Sequence, residues 1–176
     1  MKDLLDISRV ELGNIPCIFV KPKFNREEAA TVLYYHGWSS NKDNNIFIGK
    51  ILAFHGYNVI LPDAVHHGER GNLENYGIEE LRQYFWKVIL NTVKEYEILM
   101  DEAVNKLGIS RQRIAVMGSS MGGFISGGIF AANKEIKCLI NMNGACAWQK
   151  AVETYKTMDY EGKGMEVEEI MGGIQR

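Results

Sequence analysis

Cysteine, histidine and clustered basic residues are all scarce in this chain. Three cysteines, Cys17, Cys138 and Cys146, are spread over 176 residues. They form no CxxC pair and have no metal-ligand spacing, and their odd, sparse count fits a reducing cytoplasm better than a disulfide framework, so a cytoplasmic location is expected. Net charge is −2, with no basic block, which argues against a nucleic-acid partner. No run approaches the ~18 apolar residues of a membrane span. Asp3 and Asp6 fall where a secretory leader needs an apolar stretch. No membrane association is expected, and no repeat or low-complexity tract interrupts the chain.

Apolar residues make up 46% and charged residues 24%, enough apolar surface for one domain to bury a core. Ile7 to Leu12 and Ile15 to Lys21 read as strands around Gly13-Asn14, a two-residue turn of the kind hairpins use. Thr31 to Tyr35 is a continuous apolar, β-branched and aromatic run, expected as a central strand covered on both faces. After His36-Gly37 comes a polar loop, Ser39 to Asn44, rich in helix-capping residues. A helix is expected next, with Phe47, Ile48, Ile51, Leu52 and His55 as its stripe and Gly56 as its end. Tyr57 to Leu61 reads as a strand closed by Pro62. A histidine-glycine loop from Asp63 to Gly71 leads to a long helical stretch, about Glu79 to Leu107, with a possible break at Asn91 or Thr92. Arg113 to Met117 and Cys138 to Met142 are further strands, with a helix of small residues, Phe124 to Ala132, between them. A helical segment is expected from about Trp148 to Met158. Strands alternating with helices after an opening hairpin define an α/β architecture with a mostly parallel sheet and helices on both faces. Such sheets bind ligands beyond the carboxyl ends of their strands. His36-Gly37, Asp63 and the glycine-rich turn at Gly118 all fall there.

That turn, Gly118-Ser119-Ser120-Met121-Gly122, is a G-x-S-x-G between an expected strand and an expected helix. This context turns the pattern into a mechanism: a sharp strand-to-helix turn holds the central serine proud of the sheet, and the flanking glycines remove side chains that would clash. Ser120 is thus the expected nucleophile. A phosphate loop would need a Gly-Lys-Ser/Thr ending and a dinucleotide loop a G-x-G-x-x-G, and neither is present. Acyl transfer also needs donors for the oxyanion, for which the backbone amides of Met121 and Trp38 are the candidates. Gly37 would let the loop turn inward. The His36 side chain is expected to shape that loop by bonding to backbone. Gly37, Asp63, His67, His36 and Ser119 are the candidate pocket-lining residues. Asp63, His66, His67 and Glu69 lack His-x-His or H-E-x-x-H spacing; His67-Gly68 is expected to shape a loop, with no metal bound. Glu69 and Arg70 are expected to be solvated or paired with one another. Cys146 is expected to be a small buried thiol.

From about Val10 to Asn143 the chain resembles the α/β-hydrolase superfamily, in its prolyl-oligopeptidase-like and dienelactone-hydrolase-like branch. The resemblance rests on three ordered motifs: Tyr35-His36-Gly37-Trp38, Pro62-Asp63 with His67-Gly68-Glu69-Arg70, and Arg113 through Gly123. It implies an eight-stranded sheet, a Ser-His-acid triad acting on an ester or small peptide through an acyl-enzyme, and no cofactor. Ser120 matches the family nucleophile, and Trp38 and Met121 its oxyanion amides. The departure is that the family's acid and histidine follow the nucleophile. Here all four histidines, His36, His55, His66 and His67, precede Ser120. The expectation is therefore a hydrolase core over residues 1–145 and the start of a helical cap over 146–176, with strands seven and eight, the triad histidine and the acid beyond Arg176. The alternatives are a hydrolase-fold binding or regulatory protein, and an acyltransferase or thioesterase. An uncovered sheet edge would favour self-association.

Overall fold

The computed structural model describes residues 4–24 and 29–157. The chain opens with a hairpin of β1 (Leu5–Leu12) and β2 (Ile15–Pro22). Its turn residues Gly13 and Asn14 have φ of 59° and 63°, the left-handed pair that matches the right-handed twist of the flanking strands. There follow β3 (Thr31–Tyr35), α1 (Ile46–Phe54), β4 (Asn58–Pro62), α2 (Ile78–Lys94), α3 (Tyr96–Leu107), β5 (Ile114–Ser119), α4 (Met121–Ala132), β6 (Cys138–Met142) and α5 (Trp148–Thr157). Among the described residues the strands form one six-stranded sheet in the order β1-β2-β4-β3-β5-β6. Pairings among β4, β3, β5 and β6 are parallel, and β2 joins antiparallel to β4.

Side-chain alternation divides the core in two. Leu33 and Tyr35 of β3, Ile60 of β4 and Val116 of β5 point to the layer formed by α2, α3, α4 and α5. Val32, Tyr34, Val59, Leu61 and Met117 point the other way, towards α1. Every residue of β3 is buried, as a continuous apolar run between two helical layers requires. α5 carries Val152 and Trp148 into the same core. β6 lies at the sheet edge, and Ile140 on it is exposed.

Two expectations need correction. α1 does not bury Phe47 and Ile51, which are 66% and 40% exposed. Its contact face sets buried Gly49 and Ala53 beside Ile46 and the expected Ile48 and Leu52, which pack on the core while partly exposed. A Cβ on Gly49 would come within 2.9 Å of Leu61, so the helix approaches β4 through this glycine while Phe47 and Ile51 turn outward. The long helix breaks at Glu95 rather than at Asn91 or Thr92. Glu95 keeps nearly helical dihedrals, φ −80° and ψ −7°, and its carboxylate is taken by Arg70 at 2.6 and 2.8 Å. The expected cap residues from 158 onward lie outside the described residues.

Candidate active site

Ser120 sits between the last residue of β5 and the first of α4 with φ 54° and ψ −118°. L-residues rarely adopt this conformation, and such strain persists only where the surroundings over-determine it. The surroundings are visible. The Ser120 amide donates to the Met142 carbonyl of β6 at 2.8 Å, and the Ser120 carbonyl accepts from Gly123 at 2.9 Å. Gly118 and Gly122 meet each other directly across the turn: a Cβ on Gly118 would overlap the Gly122 carbonyl. A Cβ on Gly122 would in turn overlap the Tyr35 carbonyl and lie 2.7 Å from that of His36. The glycines of the motif therefore let α4 start hard against the end of β3. Ser119 and Ser120 are both partly exposed.

The loop after β3 closes over this turn. A Cβ built on Gly37 would lie 3.4 Å from the Ser120 Cβ and 4.0 Å from its Oγ, so the peptide leading into Trp38 runs alongside the serine. Met121 is the first residue of α4, and its N–H has no carbonyl one turn back to receive it. The Trp38 side chain is fixed from outside: its Nε1–H donates to the Tyr76 carbonyl at 3.0 Å. Its ring meets His67 edge-on with centroids 5.2 Å apart, and Phe85 at 6.1 Å.

Three residues expected to line the pocket lie beneath its surface, with His36 bonding to backbone as expected. His36, Asp63 and His67 are fully buried, because their polar atoms serve the backbone. The Nδ1 of His36 is 2.9 Å from the Gly37 carbonyl, and its Nε2 accepts the Ala64 amide at 3.1 Å. That pattern assigns the proton to Nδ1, and burial lowers the pKa against the raising effect of the Gly37 bond. His67 likewise donates from Nδ1 to the Val65 carbonyl at 2.8 Å, leaving a buried Nε2 without a partner. Burial pushes its pKa down to about 4. Asp63 accepts the Lys42 amide at 2.9 Å, the Lys42 ammonium at 2.6 Å and the Glu69 amide at 3.0 Å.

Glu69 and Arg70 are not partners of one another. Glu69 takes Lys42 at 2.7 Å and Arg9 at 3.0 Å, and Arg70 takes Glu95. Arg9 also pairs with Asp43. Lys42, with its side chain 1% exposed, is the residue that sequence reasoning missed. Nothing local marks it, because its partners lie 21 and 27 residues away. Burial works against its charge, but the bonds to Asp63 and Glu69 outweigh this and raise its pKa. Cys146 is exposed rather than buried, and its sulfur accepts from Asn141 Nδ2 at 3.1 Å.

Among the described residues no histidine is hydrogen-bonded to Ser120. His55 sits at the C-terminal end of α1, its Nδ1 bonded to the Ile51 carbonyl, and α1 runs down from the sheet edge where Ser120 stands. No cluster able to hold a metal ion occurs among the described residues, and no helix there is long and apolar enough to cross a membrane. A groove of about 910 Å³ lies between the far half of α4, from Gly127 to Asn133, and Trp148 of α5. It contains none of the elbow residues.

The structure thus sets a strained serine at a strand-to-helix turn, under a glycine loop from the neighbouring strand, on a mostly parallel sheet. Residues 30–165 match the family described as alpha/beta hydrolase fold, and the chain belongs to it. It is 34% identical over 143 residues to the candidate esterase YitV of Bacillus subtilis (strain 168), covering 81% of this chain and 55% of that protein. It is 29% identical to the esterase YjfP of Escherichia coli (strain K12), covering 81% and 56%. The chain thus spans about half the length of these curated relatives. Among solved structures, a candidate dienelactone hydrolase from Klebsiella pneumoniae superposes with a TM-score of 0.69 at 18% identity, covering 80% of this chain and 60% of that one. An acetyl xylan esterase from Paenibacillus sp. R4 gives 0.62 at 17%, covering 97% and 66%.

Proposed function

We propose that the chain carries the nucleophile and oxyanion half of a serine esterase that works through an acyl-enzyme on Ser120. The observation carrying this reading is the Ser120 backbone, held at φ 54° where a relaxed turn would not place it. Ser120 Oγ attacks the ester carbonyl, and its proton passes to a general base. The carbonyl oxygen gains negative charge and is received by the Met121 and Trp38 amides. The first of these adds the positive end of the α4 dipole. Collapse expels the alcohol and leaves the acyl group on Ser120; water then attacks the acyl-enzyme and restores the hydroxyl.

Neither His36 nor His67 suits the role of base, since both use Nδ1 on backbone carbonyls and burial disfavours their protonation. The base and its acid partner are therefore assigned to sequence outside the described residues. Gly37 and Ser119, both partly exposed, would border the substrate. Three free cysteines support a cytoplasmic setting.

The test is hydrolysis of p-nitrophenyl acetate by the full-length protein. Ser120→Ala should lower kcat by at least about 10³-fold with the fold intact. Retained turnover in that variant would move the chemistry elsewhere.

A further inference from the structure

We propose that Lys42 is a positioning residue for the oxyanion loop, setting the Trp38 amide by fastening residues 36–42 to the segment 63–76; this rests on the esterase reading above. Three successive anchors carry the proposal, and all land on that one segment. At the start, the His36 ring accepts the Ala64 amide at 3.1 Å. In the middle, Trp38 Nε1 donates to the Tyr76 carbonyl at 3.0 Å and its ring packs on His67. At the far end, the buried Lys42 ammonium reaches Asp63 at 2.6 Å and Glu69 at 2.7 Å, while its own amide donates to Asp63 at 2.9 Å.

The segment 63–76 is itself fastened. Arg70 donates to the Asp63 carbonyl at 3.3 Å and grips Glu95 at the junction of α2 and α3. Arg9 from β1 holds Glu69 and Asp43 together from outside. Between its ends the oxyanion loop is tied to the residues that lead into α1, Asn45 Nδ2 donating to the Ser40 hydroxyl at 2.9 Å and to the Asn41 carbonyl at 2.8 Å, but these bonds do not reach the segment 63–76. Ser40 donates to the Gly37 carbonyl at 3.2 Å, and Ser39 takes a left-handed φ of 62°. Without the Lys42 anchor, the loop keeps its ties to the segment 63–76 only at His36 and Trp38, and its far half is held only by Asn45.

An amide serves an oxyanion only if it is already aimed when charge develops, so a displacement of a few tenths of an ångström weakens it with little effect on ground-state binding. Lys42 does not touch the reacting atoms. Its two bonds to Asp63 convert the position of β4, shared with the sheet that holds Ser120, into the position of the loop.

The experiment compares an ester with its thiono analogue, whose sulfur anion fits the same two amides poorly. The ratio of their rates reports the oxyanion hole and not overall stability. It uses the full-length protein with Ser120→Ala as reference, and the variants Lys42→Met, Lys42→Met/Asp63→Asn and Glu69→Gln. The paired variant removes both buried charges together, so it stays foldable if the single one strands Asp63. Glu69→Gln weakens the anchor at an exposed carboxylate. For each folded Lys42 variant the expected result is a fall in kcat of about tenfold, KM within about twofold, and an oxo-to-thiono ratio lowered about fivefold. Glu69→Gln should lower the ratio about twofold. A ratio equal to that of the unaltered protein in every folded variant, with Ser120→Ala inactive, overturns the role of Lys42 alone. Turnover surviving Ser120→Ala overturns the esterase reading and this proposal with it.

Discussion

His67 should make the fold sensitive to mild acid. It is fully buried, its Nδ1–H is spent on the Val65 carbonyl, and its Nε2 has no partner among the described residues. Burial lowers its pKa from 6.5 to about 4. The folded state therefore refuses a proton that the unfolded chain accepts. Stability from this group is complete above pH 6.5 and is lost as pH falls from 6.5 towards 4. Each unit corresponds to about 1.4 kcal/mol, so the full window is worth up to about 3 kcal/mol. For a domain of this size that lowers Tm by roughly 6–12 °C. His36 shifts in the same direction and adds to the slope. The assay is thermal unfolding at intervals between pH 7 and pH 4.5, for the unaltered protein and for His67→Asn. The asparagine amide can keep the bond to Val65 but does not titrate. The variant should lose much of the acid slope. Parallel Tm curves for the two proteins would refute the reasoning.

Three further substitutions probe the elbow and its supports. Gly122→Ala should destabilise by about 2–3 kcal/mol in urea unfolding, because its Cβ would meet backbone carbonyls of Tyr35 and His36 that cannot yield. Ser120→Gly should raise stability by about 1 kcal/mol. Relief of roughly 1–3 kcal/mol of strain at φ 54° exceeds the entropy that glycine adds to the unfolded chain. Arg70→Ala should cost about 1–2 kcal/mol, since a mostly buried bidentate pair with Glu95 and the bond to the Asp63 carbonyl are lost together. A Tm unchanged in that variant would show the pair to be inert.

The sheet was legible because its strands carry their burial in their composition. Thr31 to Tyr35 and Cys138 to Met142 occupy the strands expected of them, and Ser120 stands at the strand-to-helix junction that G-x-S-x-G demands. Face assignment was less legible. The stripe read for α1 included Phe47 and Ile51, which the close approach of Gly49 to β4 turns outward, a tertiary contact that periodicity does not encode. The layer beneath the site was not readable at all. Arg9, Lys42 and the loop carrying Asp63 and Glu69 come from three separate stretches of chain. In sequence Arg9, Lys42 and Glu69 resemble ordinary solvated charges, and only the folded loops bring them to Asp63. His36 and His67 were expected to shape their loops, and the structure agrees, though it sets both beneath the surface and not along it. Their buried bonds to neighbouring carbonyls and amides show histidine used as a rigid, neutral bracket.

The central claim concerns one oxygen atom, so the most direct measurement is where a covalent acyl-transfer probe attaches. The full-length protein treated with a fluorophosphonate should gain the mass of a single adduct. Peptide mapping should place it on Ser120, with neighbouring Ser119 unmodified and Ser120→Ala unlabelled. An adduct on another residue, or labelling that persists in Ser120→Ala, would contradict the account.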